Sequence, residues 1–325
     1  MKEFKIIPYN PLYKDKLYAY LKRISENKDD NYLKYSIDKS DGEIPSVLVV
    51  NGKDDIVGCH LFFNTSLMAK GEKIDVAWGH ETFLNEDYRS EAGVEFVLAI
   101  NCNNTLGIGY TDINLKIQKK LKQNVLMETI FNYFYLNVFS PLGVIKKFLK
   151  SELKLLKTPQ NINTGVVFRL VKDVEDVVIP EKGYWHKNVD FDLVRDKEYI
   201  KDRFLDNKVF DYTVYEYHNG NGETSYFVVR PILYRGIPTL LLVDYRYNGN
   251  PKLMGNILKA VKKLAYRNFI GVIQTTGGMK EVEDVFKSKM CIKRPAQAMI
   301  HKSLKPSSAD YISITPADSD VDFNR

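Results

Sequence analysis

The chain has 325 residues, of which 44% are hydrophobic and 27% are charged, a composition that excludes a disordered polypeptide and fits a globular protein of two domains. The formal net charge is +6, from 47 Lys and Arg against 41 Asp and Glu. No long basic run or zinc-finger spacing accompanies this excess, so we do not expect nucleic acid as a partner. The mild positive charge would favour polyanionic small ligands, or it belongs to a lysine-rich solvated surface.

The cysteines Cys59, Cys102 and Cys291 are far apart in the sequence. Their odd number and wide spacing predict neither a disulfide framework nor a structural zinc site, and we expect no metal. Reduced thiols favour a cytoplasmic protein. The first residues lack the apolar run of a signal peptide, and no stretch of about 18 apolar residues predicts a membrane span.

The first half of the chain predicts the order β-α-β-β-β-α-β-α-β, complete near residue 138. The predicted strands cover residues 4–7, 46–50, 56–65, 74–84, 105–109 and 127–138. The predicted helices cover residues 12–24, 93–101 and 111–123, and residues 85–91 predict a polar loop. This order indicates a mixed α/β fold.

A similar order begins again near Gly165. The predicted strands cover residues 166–170, 212–217, 225–229, 238–245, 271–275 and 295–301, and the predicted helices cover residues 197–205, 251–267 and 280–289. Residues 146–156 predict a short basic helix, which we interpret as an inter-domain helix, with a membrane-surface contact as the alternative. The repeat predicts two copies of one fold, over residues 1–140 and 165–305, with a linker over 141–164 and a tail over 306–325.

The junction between the strand over 74–84 and the next helix reads Leu-Asn-Glu-Asp-Tyr-Arg-Ser-Glu-Ala-Gly-Val over residues 84–94. This segment resembles the pyrophosphate loop of the GNAT acetyltransferases, in which backbone N–H groups at a helix start bind a diphosphate. Ala92 and Val94 stand where that family usually has glycine, and Gly93 is shifted by one position. An ordinary strand-to-helix turn is the alternative interpretation.

A second part of the resemblance lies downstream of this loop. Asn114 lies near a helix start, where the family has an Asn that contacts the cofactor arm. The tyrosine that the family often uses as a general acid is missing, because the segment from Gln118 to Gln123 replaces the usual helix ending. The resemblance implies coenzyme A contacts from Phe83, Leu84, Arg89, Ser90, Glu91, Ala92, Gly93, Val94 and Asn114.

Both ends of the chain extend the resemblance. Ile-Pro-Tyr before the first helix is similar to the start of family members, and residues 311–322 are similar to the tails of two-domain members associated with bacterial surface-sugar gene sets. The resemblance implies an α/β protein of two tandem GNAT-like folds, the first binding acyl-CoA and the second enclosing an acceptor. The implied reaction transfers an acetyl or other short acyl group to the amine of a nucleotide-linked amino sugar, of the dTDP type. A monomer or a homodimer is expected.

The strand over residues 74–84 carries the candidate base. Glu81 is the first choice, because the family often has a Glu on this strand. His80 is the alternative, because its ordinary pKa of about 6.5 suits proton transfer at neutral pH. Neighbouring strand residues face opposite sides, so only one of the two is expected to face a cleft. The other possibility is that both are packed or surface residues.

The second half offers candidate acceptor contacts. Asp244 and Arg246 lie at the matching strand end, and Trp185 lies in an irregular stretch. We predict that these residues contact the acceptor, with a structural ion pair as the alternative for Asp244 and Arg246. The loop over 247–255 lacks the diphosphate pattern, so we expect no coenzyme A in this half.

Two other functions stay open at this stage. An aminoacyl transferase similar to the Fem peptidoglycan enzymes would also use two such folds, although the sequence shows no long helical insertion of the kind those enzymes usually carry. A protein that binds acyl-CoA or a sugar without catalysis is favoured by the departures at Ala92, Val94 and Gln118.

Overall fold

The computed structural model describes residues 3–25, 28, 30–69, 72–101, 105–108, 116–117, 119–122, 124–136, 156–180, 191–248, 250–277, 284–286, 291–301 and 315–318. No helix within these ranges is long and apolar enough to cross a membrane. Asn114 and Trp185 lie outside the described residues, as do parts of the predicted helices over 111–123, 146–156 and 280–289 and most of the tail.

Two compact units make up the chain. The first consists of Met1–Leu67, Lys73–Glu128 and Gln297–Pro306. The second consists of Met68–Glu72, Thr129–Ala296 and Ser307–Arg325.

The described helices are α1 (Lys14–Ile24), α2 (Asp30–Asp38), α3 (Glu86–Ile100), α4 (Lys197–Ile200) and α5 (Pro251–Arg267). The described strands are β1 (Phe4–Pro8), β2 (Val47–Asn51), β3 (Ile56–Ala69), β4 (Glu72–Leu84), β5 (Thr105–Ile108), β6 (Asn124–Leu136), β7 (Asn161–Asn163), β8 (Val167–Leu170), β9 (Phe191–Leu193), β10 (Thr213–His218), β11 (Thr224–Tyr234), β12 (Ile237–Tyr247), β13 (Val272–Gly277) and β14 (Cys291–His301). This order confirms the mixed α/β architecture that the sequence predicts. Helix α2 is an addition, for which sequence analysis predicts no element.

The first unit is built on a sheet with the order β1-β2-β3-β4-β5, and residues 299–301 of β14 pair beside β5. Strands β1 to β3 are antiparallel neighbours, whereas β4 and β5 are parallel and pair at Ala77 and Trp78. Helix α3 packs Ala92 and Phe96 against valine side chains of β2 and β3. This packing fixes the start of α3 just beyond the end of β4.

The second unit is built on a sheet with the order β6-β13-β12-β11-β10-β8-β7. Hydrophobic clusters cover both faces of this sheet. Along β11, Phe227 and Val229 belong to the cluster beneath α5, whereas Tyr226 and Val228 belong to the cluster on the other face. This division follows from the two-residue period of a strand.

Strand β12 contains a β-bulge at Val243. Leu242 and Asp244 pair with consecutive residues of β11, so Val243 has no opposite partner. Leu242 faces α5 before the bulge and Tyr245 faces it afterwards, which shows that the bulge shifts the alternation by one residue. Asp244 therefore lies on the opposite face of the sheet, where its carboxylate accepts a hydrogen bond from Tyr226.

Two strand segments belong to units that their place in the sequence does not indicate. Residues 131–136 of β6 pair antiparallel with β13 in the second unit, and residues 299–301 of β14 pair with β5 in the first. The predicted division at residues 140 and 165 stays a prediction. Pairing over such a sequence distance leaves no trace in the local hydrophobic pattern from which the boundaries were inferred.

Candidate functional site

Side chains from β3, β4, α2 and the loop before α2 meet in the first unit. We call Glu81, His80, Cys59, Tyr32 and Lys28 the Glu81 site. Glu81 and His80 are predicted from the sequence. Tyr32 and Lys28 are not, because both lie far from β4 in the sequence and outside any recognisable motif.

Glu81 has a left-handed backbone conformation inside β4, with a φ of 46°. Such a conformation costs a residue other than glycine about 1–2 kcal/mol and interrupts the alternation of faces along the strand. His80 and Glu81 are both buried, with exposures of 3% and 6%. The regular alternation assumed in the sequence analysis therefore fails at this position.

The two oxygens of the Glu81 carboxylate have different surroundings. Oε1 accepts a hydrogen bond of 2.5 Å from the Tyr32 hydroxyl and forms an ion pair with Lys28 Nζ. Oε2 is buried and has no hydrogen-bond partner among the described residues. A buried carboxylate oxygen without a partner is costly, so it is a good acceptor for a proton or a hydrogen bond from a ligand.

His80 is a second buried polar side chain of this site. Its ring stacks on Phe63, with ring centroids 3.8 Å apart and planes inclined by 12°. Neither ring nitrogen has a hydrogen-bond partner in the described part of the chain. Burial, with smaller contributions from His60 and Lys28, lowers the pKa of His80 well below its ordinary value, so the ring is neutral at pH 7.

Cys59 is a structural thiol. Its Sγ donates to the Glu81 carbonyl oxygen over 3.7 Å. Burial, followed by the charge of the Glu81 carboxylate, raises the pKa of the thiol, so Cys59 is not a thiolate at neutral pH and is a poor nucleophile. Beside it on β3, a nitrogen of His60 lies 2.6 Å from the Thr82 hydroxyl. A Cβ atom at Gly79 would lie 2.6 Å from His60 Nε2, so the ring of His60 requires glycine there.

The start of α3 differs from the prediction. The helix begins at Glu86, so the predicted loop over 85–91 and the predicted helix start near Gly93 are wrong. Two acidic residues in the first turn favour a helix start at Glu86, because carboxylates stabilise the positive end of the helix dipole. Residues 92–94 lie beyond the first turn, where their amides donate to carbonyls one turn earlier. The amides at a helix start are those of its first turn, here residues 86–89, and not those of 92–94.

The other predicted cofactor residues lie on either side of this helix start. Phe83 and Leu84 are half-buried at the end of β4, Arg89 and Ser90 are exposed on α3, and Glu91 is half-buried. The Ala92 side chain is buried, and Val94 is exposed. The Asn85 side chain accepts a hydrogen bond of 3.0 Å from the Tyr20 hydroxyl and does not cap the helix.

The charges at the start of α3 oppose a diphosphate. Glu86 and Asp87 carry two negative charges and Arg89 one positive charge, which leaves a net charge of −1 on these three residues. Arg89 Nη1 lies 3.4 Å from a carboxylate oxygen of Glu86, and Arg89 Nε donates to the Leu84 carbonyl over 3.2 Å. Arg89 thus pairs with Glu86 at the exposed surface, and the net negative charge of the first turn is unfavourable for an anion.

Asp244 and Arg246 lie in a buried ion network of the second unit. Asp244 is 0% exposed, and its Oδ2 accepts hydrogen bonds from Arg195 Nε at 2.9 Å and from the Tyr226 hydroxyl at 3.0 Å. Its Oδ1 accepts from the Thr315 hydroxyl at 2.8 Å. These contacts surround the carboxylate with protein donors.

Arg246 completes this network. Its Nη2 donates to Asp192 Oδ1 over 2.6 Å. Burial alone would raise the pKa of Asp244, but the guanidinium groups of Arg195 and Arg246 more than offset this effect and hold that pKa below its ordinary value. The two arginines and two aspartates compensate one another's charges inside the protein. For Asp244 and Arg246 this favours a structural ion pair rather than a contact with the acceptor.

No family model and no curated protein sequence matches this chain. Solved structures do match it. A probable N-acyltransferase from Enterococcus faecalis is 9% identical, with 92% of this chain and 72% of that chain covered and a TM-score of 0.57. A GCN5-related N-acetyltransferase from Anabaena variabilis is 8% identical over the same shares of the two chains, with a TM-score of 0.58.

N-myristoyltransferase from Saccharomyces cerevisiae, solved with bound myristoyl-CoA and inhibitors, is also similar. It is 10% identical, with 98% of this chain and 86% of that chain covered and a TM-score of 0.61. Likeness at this level of identity shows the fold. The chain therefore has the tandem GNAT-like fold that the sequence resemblance implies.

We expect Gly93→Ala to stabilise the protein by about 0.5–1 kcal/mol, because alanine is the better residue inside a helix. A Cβ atom at position 93 meets nothing within 4 Å. Urea unfolding measures the change, and isothermal titration with coenzyme A should show unchanged affinity. The matched control is Gly79→Ala, which we expect to destabilise the protein through contact with His60. A large loss of coenzyme A affinity in Gly93→Ala would instead support the prediction that the cofactor approaches the backbone closely at Gly93.

We expect stability to fall as the pH decreases from about 7 to about 5, in part because of His80. The unfolded chain binds a proton at this histidine below about pH 6.5, whereas the buried ring does not, so acid favours unfolding. His80→Phe should keep the stack on Phe63 and reduce this loss by about 1–2 kcal/mol. Urea unfolding at pH 7 and pH 5 measures the change in the free energy of unfolding. The control is His218→Phe, at a partly exposed histidine. Equal acid sensitivity in the wild type and His80→Phe would contradict the assignment.

Proposed function

We propose that the protein is an enzyme that transfers an acyl group from acyl-CoA to an amine. The observation that carries this proposal is the buried carboxylate of Glu81, with one oxygen lacking a partner, at the backbone irregularity of β4 in a tandem GNAT-like fold. Such a group suits a reaction in which an amine must lose a proton as it attacks a thioester.

In this reaction a C–N bond forms between the amine and the acyl carbon while the C–S bond of the thioester breaks, and coenzyme A leaves as the thiolate with the electron pair of that bond. Glu81 Oε2 takes the proton that the amine nitrogen loses. Lys28 and Tyr32 hold Oε1, so the carboxylate keeps one orientation. Acyl-CoA, when bound, supplies the activated acyl group, and the proposal needs no covalent intermediate on the protein, consistent with the raised pKa of Cys59.

His80 is the alternative base. Its ring nitrogens are buried and without a partner among the described residues, as is Glu81 Oε2. A strongly lowered pKa makes the imidazole a weak base, however, and a weak base removes a proton from an amine poorly. Glu81 is the first candidate because Tyr32 and Lys28 hold Oε1 of its carboxylate and so orient Oε2.

The fit of coenzyme A to the start of α3 is incomplete. The position of the helix start beyond β4 suits a diphosphate, but the net charge of −1 on Glu86, Asp87 and Arg89 does not. We therefore assign no step of the reaction to contacts between this turn and the cofactor.

We propose that the second unit does not bind the cofactor between β12 and β13. These strands are paired in parallel only from Thr239 to Leu241. Beyond that point the Tyr245 hydroxyl donates to the Thr276 carbonyl over 3.2 Å, and the Tyr245 ring lies in the core cluster beneath α5. The Tyr245 side chain thus bridges the two strands beyond their paired residues.

For the acceptor we propose the amine of a nucleotide-linked amino sugar, of the dTDP type, used in surface polysaccharide synthesis. An acetyl or other short acyl group is the proposed cargo. These assignments rest on the resemblance of residues 311–322 to tails of two-domain family members. A cytoplasmic location is proposed from the reduced state expected of the cysteines, of which Cys59 is a buried free thiol.

We expect Glu81→Gln to lower kcat by about 10²–10⁴-fold and to change the affinity for acyl-CoA by less than about threefold, because the amide cannot accept the proton. The amide can still accept the Tyr32 hydrogen bond, so the fold should persist. Thiol release from acetyl-CoA with a panel of nucleotide-linked amino sugars measures turnover, and titration measures affinity.

Glu95→Gln, on the exposed surface of α3, is the matched control for this experiment. Parallel losses of turnover and acyl-CoA affinity would remove Glu81 from the role of base. Loss of turnover in His80→Gln with an active Glu81→Gln would transfer the role to His80. If coenzyme A binds but no amine in the panel is acylated, the proposed enzymatic activity is contradicted. The protein would then be one that binds acyl-CoA without catalysis.

We expect the double variant Glu86→Gln and Asp87→Asn to bind coenzyme A about threefold or more tightly, if the diphosphate lies at the start of α3, because two repulsive charges are removed. Titration in low salt measures the affinity. Asp41→Asn with Glu43→Gln, two exposed loop residues, changes the net charge equally and is the control. An unchanged affinity would show that the diphosphate binds elsewhere.

A further inference from the structure

The second unit contains a cavity of about 780 Å³ beside the last turns of α5. Its walls are the end of β6, the segment from Pro159 to β7, and α5. Aromatic, aliphatic and basic side chains line it, among them Tyr135, Ile162, Lys262, Lys263, Tyr266 and Arg267. This volume lies within the range of about 300–1,000 Å³ that is typical of small-molecule sites.

The charge of the cavity has a single sign. Lys262, Lys263 and Arg267 line it, and an adjoining cavity of about 460 Å³ shares Lys262 and Lys263 and adds Lys259. No Asp or Glu is among the described residues that line either cavity. Helix α5 itself contains basic residues but no acidic residue. The cavity is therefore a focus of positive potential.

Lys262 and Lys263 are held by uncharged groups. No carboxylate among the described lining residues compensates their positive charge. Lys262 Nζ lies 3.9 Å from the centre of the Tyr135 ring, and Lys263 Nζ donates to the Asn163 carbonyl over 2.6 Å. A ring face and a carbonyl oxygen stabilise an ammonium group without cancelling its charge. An anion in the cavity would supply that missing charge.

The dipole of α5 does not account for this cluster. Cations stabilise the last turn of a helix, which explains Arg267. Lys259, Lys262 and Lys263 precede the last turn, where this effect has faded. The helix dipole therefore does not explain why these three lysines lie around one cavity.

Apolar surface accompanies these charges. Tyr135, Leu136, Ile162 and Tyr266 line the cavity, and the Tyr266 side chain is 59% exposed at α5. Aromatic rings offer stacking surfaces for a planar group, while lysine and arginine bind phosphate oxygens. The combination matches a ligand with a flat apolar part and a strongly anionic part.

We propose that this cavity binds a phosphorylated small molecule of nucleotide size. Lys262, Lys263 and Arg267 contact the phosphate groups, and Tyr135 and Tyr266 contact the planar part. This site is independent of Glu81 and does not rest on the proposed acyl transfer.

Isothermal titration of the full chain with ADP and with UDP tests this proposal, with adenosine and uridine as phosphate-free controls. We expect the double variant Lys262→Glu and Lys263→Glu to weaken nucleotide affinity about tenfold or more, and raised salt to weaken it in the wild type. The matched control is Lys252→Glu, an exposed lysine of the same helix outside both cavities, which should change affinity less than about twofold. Glu81→Gln should leave nucleotide affinity unchanged.

Lys262→Gln with Lys263→Gln is the milder variant, and thermal unfolding verifies that each variant is folded. The proposal is overturned if no nucleotide binds, if adenosine and uridine bind as well as their diphosphates, or if the folded double variants keep wild-type affinity. Sedimentation with vesicles of anionic phospholipid forms a further arm. Vesicle binding that depends on Lys262 and Lys263, in the absence of nucleotide binding, would replace the proposed ligand by a membrane surface and overturn the proposal.

Discussion

A buried carboxylate needs compensation by positive charge or hydrogen bonds, and in the first unit this requirement joins Glu81 to Lys28 and Tyr32. The left-handed φ of Glu81 sets the direction of the carboxylate, and the residues that meet it come from α2 and from the loop before α2. The conformation of one strand residue and the placement of α2 are thus interdependent. If β4 relaxed to a regular strand, the carboxylate of Glu81 would leave Lys28 and Tyr32.

Each unit has a backbone irregularity inside one strand: a left-handed residue in β4 and a β-bulge in β12. The two irregularities place a buried carboxylate in different surroundings. In β4 the break at Glu81 accompanies a buried carboxylate oxygen without a partner among the described residues, which is energetically costly. In β12 the bulge at Val243 places Asp244 among Arg195, Tyr226 and Thr315, so the carboxylate is fully surrounded. The first unit thus has a buried carboxylate oxygen without a partner among the described residues, whereas the second unit surrounds its buried carboxylate with protein donors.

The sequence predicts elements whose signals are local. Helix α5 runs from Pro251 to Arg267 as predicted, because Asn250 caps it, proline occupies its first position and a regular apolar stripe follows. Helix α3 begins earlier than predicted, because the acidic residues Glu86 and Asp87 were interpreted as a polar loop although they also favour a helix start. The partners of Glu81 escaped prediction for a different reason. Lys28 and Tyr32 reach the carboxylate only through the tertiary fold, which one sequence without such contacts does not reveal.

Strand β5 pairs with residues 299–301 of β14. The ribosome synthesises these residues about 190 positions after β5. Until then the N-terminal unit has an open sheet edge beside β5, and open edges invite pairing with other molecules. Pairing across so many residues also slows folding, because a long loop must close first. A truncated chain that ends before β14 would therefore keep an incomplete sheet in its first unit and would be prone to aggregate.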